Sequence, residues 1–239
     1  MPESRSTQPL VWIDCEMTGL DTDKDTIMSL CCIITDYELN PLDDKGYEAV
    51  IHHTREQLDA MGEWCTSHHG DSGLTQACLD SSTTPAKAAG ELLAYIQAHV
   101  PDRRRALLAG NTVHADQRFL AKEPWKPVVS WLHHRIFDVS AIKEAAKRWA
   151  SVEVLKGSPR KEGAHEARRD IEESIAEARY YREVFFAPKR RTIPFGGGDE
   201  SGLRTFWPTV RDSIINIQSP DHIKHQNHRF PIYPVDDVQ

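Results

Sequence analysis

The chain has 239 residues, room for one sizeable domain with an appendage and tight for two. Hydrophobic residues at 39% and charged residues at 27% are ordinary globular proportions, which excludes disorder throughout, and no apolar run approaches the ~18 residues of a membrane span. The formal net charge of −7 argues against tight, general binding to long nucleic acid, which needs a basic footprint. Of the 29 Lys and Arg and 36 Asp and Glu, 7 and 6 lie beyond residue 186, leaving 22 basic against 30 acidic, a net of −8, in the part before it. A polyanion must therefore be held locally, by a few aimed groups or by metal ions.

In chain order, MPESRSTQPL has no apolar stretch, so no signal peptide is expected, and residues 1–8 read as a flexible leader too poor in Arg for a mitochondrial presequence. Residues 9–17, 27–39 and 47–53 read as three sequential, antiparallel strands, joined by the turn-rich links TGLDTDKDT and NPLDDKG. Thr84-Pro85 is an N-cap and N1 pair, and Ala89, Leu92, Ile96 and Val100 then share a helical face. Residues 106–109 read as a short buried strand and Asp116 as a helix start with Phe119 and Leu120 inward. A last strand is expected over 135–137, then a helix with Val139, Ile142, Ala145 or Ala146, and Trp149 in register. A long helix starts near His165, with Ala167, Ile171, Ile175, Ala178 and Phe185 as its stripe. Strands first, then alternating helices and strands, imply a mixed α/β sheet flanked by helices.

From residue 187 the character changes. Six of the fourteen prolines and a Gly196-Gly197-Gly198 run lie there, so 187–239 reads as an irregular C-terminal extension. Within it, Lys189-Arg190-Arg191 reads as a solvated charge run, and His222, His225 and His228 lack the Cys partners that would favour zinc. Cys15, Cys31, Cys32, Cys65 and Cys78 are odd in number and contain no C-x-x-C, so a reducing compartment is expected: cytoplasmic first, with the mitochondrion or nucleus as alternatives. Cys31 and Cys32 read as buried strand packing.

The chemistry begins with Asp14 and Glu16. Residues two apart in a strand share a face, so two carboxylates project together from an apolar strand. They repel each other and cost desolvation; a divalent cation removes that conflict, and all-oxygen ligation suits Mg²⁺ or Mn²⁺. A merely solvated polar face is the other reading of this pair. GNTVHAD (110–116) adds a carboxylate at a helix start after a buried strand, and HEARRD (165–170) an imidazole and a carboxylate in the first turn of the long helix. Alone, each is as readily an N-cap, a dipole partner or a surface residue.

Together, WIDCEMTGLD, AGNTVHADQRFL, HRIFDVSAIKEAAKRW and HEARRDIEESIAEARYYR resemble, in order and spacing, the motifs of the oligoribonuclease family, DEDDh-type 3′→5′ exonucleases of RNase H-like fold. EWCTSHHGDSGL (63–74) matches as well, and the resemblance covers residues 10–186. It implies an RNase H-like mixed five-stranded sheet, an exonuclease domain over 9–186, a homodimer, and no membrane or stable long-duplex partner. It also implies a metal-dependent phosphodiester hydrolase that degrades short oligoribonucleotides, especially dinucleotides, to nucleoside 5′-monophosphates. By that resemblance Asp14, Glu16, Asp116 and Asp170 hold two Mg²⁺ or Mn²⁺ ions roughly 3.5–4 Å apart. Asp14 bridges both, Asp116 supports the second, and His165 is the general base. Leu20 and Trp64 match base-packing positions, whose plain alternative is core packing. His69, Thr112, Arg135 and Ser140 match positions near a cap for the 5′ phosphate, and Arg135 and Ser140 are expected side by side at a strand-to-helix junction. His134 matches a position, usually Tyr, contributed by the partner subunit.

Thr112 stands where the family usually has Ser, keeping the hydroxyl; Ser29 stands for a usual Glu, and Arg169, beside Asp170, for a usual Asp. Arg169 brings positive charge near the metals, either weakening their binding or aiding phosphate. Two alternatives follow: a DEDDh exonuclease for longer RNA or single-stranded DNA, and a catalytically weakened nucleotide-binding paralogue. Turnover of an RNA dinucleotide against a 20-mer, with and without EDTA, separates them.

Overall fold

Strand β1 (Leu10–Met17) is apolar on both sides for most of its length, and its alternating residues feed two separate cores. Val11, Ile13 and Cys15 enter one apolar cluster and Trp12 the other. In this computed structural model, which describes residues 8–159 and 166–186, β1 pairs antiparallel with β2 (Ile27–Thr35), and β2 with β3 (Tyr47–Val50). On its other edge β1 runs parallel to β4 (Leu107–Gly110), which runs parallel to β5 (Ile136–Asp138). The order β3-β2-β1-β4-β5 is the mixed five-stranded sheet expected.

Three short helices, α1 (Arg55–Asp59), α2 (Glu63–Asp71) and α3 (Leu74–Asp80), follow β3, where sequence patterning assigned no element. Helix α4 (Pro85–His99) starts as expected: Pro85 occupies its first turn and the Thr84 hydroxyl accepts from Lys87 N at 3.2 Å. Its Ala88, Ala89, Leu92 and Ile96 join Val11, Ile13, Cys32 and Ile34 in the first cluster, to which α5 (His114–Leu120) and α6 (Lys126–Trp131) add Phe119, Leu120 and Val128. The opposite face is covered by α7 (Val139–Trp149) and α9 (Ala167–Tyr181), with α8 (Val152–Gly157) between them in sequence. There Val139, Ala146, Ile171, Ile175, Ala178 and Tyr181 pack on Trp12, Cys31, Ile33 and Ala109. Cys31 and Cys32 are buried on opposite faces, as strand packing requires. No helix among the described residues is long and apolar enough to cross a membrane.

Several expectations need correction. β2 stops at Thr35, not at residue 39, because the Asp36 carboxylate turns the chain, accepting from Glu38 N at 2.8 Å and Asn40 N at 2.9 Å. β3 ends at Val50: His52 N instead donates to Thr83 O, at 2.8 Å. Trp149 lies in register with Val139 and Ala146 yet, as the last residue of α7, is 81% exposed. Phe185 belongs to a π-helical turn, Arg182–Phe186, whose wider winding takes it off the buried stripe of α9. Residues 187–239, with the charge run and the histidine series, lie outside the described residues, as do residues 1–7.

The two cores set a test of packing. Leu92→Ala empties a fully buried position in the first cluster and should cost about 2–5 kcal/mol, whereas Trp149→Ala should change stability by no more than about 0.5–1 kcal/mol. Denaturant midpoints of the two variants check the difference; equal losses would contradict the burial pattern.

Candidate active site

Period-2 alternation carries the face of Trp12 on to Asp14 and Glu16 at the C-terminal end of β1. Helix α9, seated on that face by Ile171 and Ile175, presents Asp170 from its first turn. Asp14, Glu16 and Asp170 each offer a carboxylate oxygen within 4.8 Å of the others, a set of hard donors that fits a divalent cation. Burial, and then the charges of Asp170 and Asp116, push the Glu16 carboxyl up to about 7.

Asp116 arrives from the other side of the sheet. β4 follows β1 only as far as the pair Trp12↔Ala109, after which the chain turns at Gly110 into α5. A Cβ on Gly110 would press on the Val113 side chain at 3.1 Å. With the β4 edge withdrawn, Cys15 N donates to Asp116 Oδ1 at 3.0 Å, so the carboxylate completes the edge that the strand leaves open. Burial pushes Asp116 up to about 7 against the lowering effect of these N–H donors, and burial also holds the Cys15 thiol well above its usual range. Asp116 is not one of the three converging carboxylates; it flanks them through the backbone of β1.

Leu20 lies just beyond β1 and is 73% exposed. It is presented by a tight turn closed on Asp25, whose carboxylate accepts from Thr18 Oγ1 at 2.9 Å and Asp21 N at 2.8 Å. A Cβ on Gly19 would lie 2.4 Å from an Asp25 oxygen, so any larger residue there would displace the Asp25 carboxylate that closes the turn. Lys122 ties the same loop down through Asp23 Oδ1 at 2.6 Å and the Thr22 carbonyl. Trp64 on α2 is 63% exposed and stacks on His68 with ring centroids 4.7 Å apart. Exposure of both residues disfavours the core-packing alternative. His69, by contrast, is buried, its Nε2 at 3.0 Å from the Met17 carbonyl at the end of β1.

Thr112 and Ser140 meet: their hydroxyls are 3.1 Å apart, and Thr112 N donates to Ser140 Oγ at 2.8 Å and to Asp138 Oδ1 at 3.0 Å. Those bonds hold Thr112 at φ 56°. Arg135 does not stand beside Ser140. β5 separates them: Arg135 precedes Ile136, opposite the start of β4, while Ser140 follows Asp138, opposite Gly110. His134 is exposed next to Arg135 and stacks on His133 at 4.2 Å. Ser29 faces Glu16 across the β1–β2 ladder. Arg169 Nε lies 3.9 Å from Glu173 Oε1, one turn further along α9. His165 lies outside the described residues.

Three residues were missed in the sequence. Half-buried Asn111 and the buried Ser174 and Glu177 form a polar group beside Thr112 and Ser140: Asn111 Nδ2 donates to Ser174 Oγ at 2.7 Å and Glu177 Oε2 at 3.3 Å, and Ser140 Oγ donates to Asn111 Oδ1 at 3.0 Å. The available signal was Glu177, a charged residue between Ile175 and Ala178 on the apolar side of α9.

Residues 11–178 match the RNase_T family, described as Exonuclease. The chain is 46% identical over 191 residues to the mitochondrial oligoribonuclease of Saccharomyces cerevisiae, covering 77% of this chain and 70% of that one. It is 47% identical over 184 residues to a probable oligoribonuclease of Schizosaccharomyces pombe (77% and 71% covered) and 43% over 180 residues to the oligoribonuclease of Rhodococcus jostii (75% and 89%). Among solved structures, exonuclease I is similar in fold, with TM-score 0.55 and 15% identity over 73% of this chain and 41% of that one. Escherichia coli exonuclease I in complex with a 5cy-dT13 oligonucleotide gives TM-score 0.54 at 15% identity, covering 75% and 41%. The chain thus spans about two fifths of exonuclease I, and the likeness establishes an RNase H-like fold.

The carboxylate cluster makes stability depend on pH and metal. Below the ordinary glutamate value of 4.5, Glu16 is protonated in native and unfolded chains alike; between 4.5 and about 7 the native state alone keeps the proton. The stabilisation this represents is lost as pH rises through about 7. Above that pH the buried charge costs on the order of 3 kcal/mol, which a bound cation offsets. Metal-free protein should therefore melt lower at pH 8 than at pH 6, and saturating Mg²⁺ should remove most of the difference. Glu16→Gln should raise the metal-free melting temperature at pH 8. Identical melting at both pH values without metal would contradict the cluster's energetics.

Proposed function

This chain belongs to the oligoribonuclease family of exonucleases, and from that premise we propose that Asp14, Glu16 and Asp170 hold its metal while Thr112 and Ser140 receive the substrate's 5′ end. The activity is that of a nuclease, a 3′→5′ exoribonuclease acting on short oligoribonucleotides and dependent on a divalent cation. The observation that carries the assignment of residues is the convergence of the three carboxylates within 4.8 Å.

A divalent cation bound there supplies charge neutralisation and Lewis acidity for in-line displacement at phosphorus. Two ions, Mg²⁺ or Mn²⁺, are our reading: Asp14, Glu16 and Asp170 would hold them, and Asp116, whose Oδ1 accepts from Cys15 N, would support the second. His165 takes the proton of the attacking water as general base. Leu20 and Trp64, both exposed near the end of β1, pack against the bases. His69 orders the Met17 carbonyl, and so the strand end, more directly than it reaches a phosphate. Arg135 supplies a forked cation for a 5′ phosphate, and His134 serves the partner in a homodimer. The acidic body and a cap closed by Thr112 and Ser140 favour dinucleotides over long RNA or single-stranded DNA. Residues 9–186 carry this activity, and 187–239 form an extension. The relatives of yeast and human are named mitochondrial, which adds weight to that compartment over the cytoplasm.

Hydrolysis of a labelled RNA dinucleotide should exceed that of a 20-mer and vanish with EDTA. Asp14→Ala should lower turnover at least a hundredfold, about 2.7 kcal/mol of barrier, while the fold survives the relief of repulsion. Residual activity above that level would remove Asp14 from the metal-bridging role. Arg135→Ala should cost roughly ten- to a hundredfold in kcat/KM for a 5′-phosphorylated dinucleotide, the worth of a charge-assisted hydrogen bond, and much less for a heptanucleotide. An unchanged ratio between the two substrates would return Arg135 to a structural or interface role.

A further inference from the structure

Behind the Thr112–Ser140 pair, hydrogen-bond directions are fixed from one end. Glu177 is 1% exposed and its carboxylate faces Lys143 Nζ at 3.3 Å and Tyr181 OH at 3.1 Å. A carboxylate so placed accepts only, so Asn111 must turn its NH₂ toward Glu177 Oε2 and Ser174 Oγ, and its carbonyl toward Ser140. Ser174 in turn spends its proton on the Asp170 carbonyl, at 2.6 Å. The result is a continuous, one-directional chain: Ser140 O–H to Asn111 Oδ1, Asn111 N–H to Ser174 Oγ, Ser174 O–H to Asp170 O. Its proton orientation is determined at every step, and such ordered chains polarise one another in a low-dielectric interior.

At one end lie the hydroxyls assigned to the 5′ phosphate, and at the other the peptide of a metal ligand. Ser140's proton is committed inward, so in their contact Thr112 is the donor to Ser140 Oγ, and its hydroxyl is the one that an arriving anion would redirect. We propose that Asn111, oriented by Glu177, is a positioning residue that couples occupancy of the 5′-phosphate cap by a dinucleotide to the setting of Asp170 at the metal site. This rests on the reading of Thr112 and Ser140 as the cap. A filled cap immobilises Ser140 and Thr112; through Asn111 and Ser174 the first turn of α9 is then held in the geometry that binds cation. By linkage, a 5′ phosphate on the dinucleotide must raise metal affinity as much as metal raises affinity for that phosphate.

The test is calorimetric Mn²⁺ binding to the full chain in the presence of saturating dinucleotide whose linkage carries carbon in place of the leaving oxygen, with and without a 5′ phosphate. In the wild type the phosphorylated form should tighten Mn²⁺ about fivefold or more relative to the unphosphorylated form. Asn111→Ala should bring that ratio to within about twofold of unity. Ser174→Ala cuts the chain one bond later on a helix that tolerates alanine, and should do the same if Asn111→Ala folds poorly. A ratio that stays at the wild-type value in Ser174→Ala, with both dinucleotides and the metal weakened equally, would mean a merely structural role and overturn the proposal. A wild-type ratio of one would overturn it, whereas equal affinity of the metal-free protein for the two dinucleotides would overturn the reading of the cap.

Discussion

Mutual repulsion among carboxylates is the constraint that the rest of the site answers. Asp14 and Glu16 share a face of β1, and α9 brings Asp170 down upon them. What forces this arrangement is apolar packing. Ile171, Ile175, Ala178 and Tyr181 are buried on Trp12, Cys31 and Ile33, and each larger side chain among them contributes about 1.5–3 kcal/mol. Their sum exceeds the few kcal/mol that crowding raises against a glutamate held near 7. The helix therefore seats itself by its stripe and carries its aspartate into an unfavourable field, one that a divalent cation could relieve.

The same helix carries a second buried carboxylate with the opposite arrangement. Glu177 is met by Lys143, Asn111 and Tyr181, all from the protein itself. An internally satisfied carboxylate fixes geometry; the cluster of Asp14, Glu16 and Asp170 instead sets three carboxylates within reach of one cation. Two turns of α9 separate the two solutions, and Ser174, between them, bonds to both neighbourhoods.

The parallel pair β1–β4 has a matching consequence. Because β4 leaves after Ala109, the β1 edge beside the carboxylates is completed by a side chain, Asp116. An incomplete strand edge is normally a liability. Here it gives a buried acidic residue an anchor in the backbone of the very strand whose carboxylates it flanks.

Much of this was legible in the chain. Alternation alone places Asp14 and Glu16 on one face, Thr84-Pro85 announces α4, and Ile171, Ile175 and Ala178 announce the buried side of α9, because strand and helix periods are local properties of the backbone. Helices α1 to α3 were not legible, being short and weakly patterned, and the end of β2 was decided by the Asp36 turn. Nor could spacing show that Arg135 and Ser140 sit at opposite ends of β5, or that Trp149, the last residue of α7, faces outward. The sequence by itself determined which residues are candidates for the chemistry and which face the main strands and helices turn inward. Only the tertiary structure decided that Asp170 meets β1, that Asp116 closes its open edge, and that Asn111 joins residues 140 and 174. Those contacts join residues far apart in the chain, and they exist only where packed helices and strand ends bring the partners within hydrogen-bond reach.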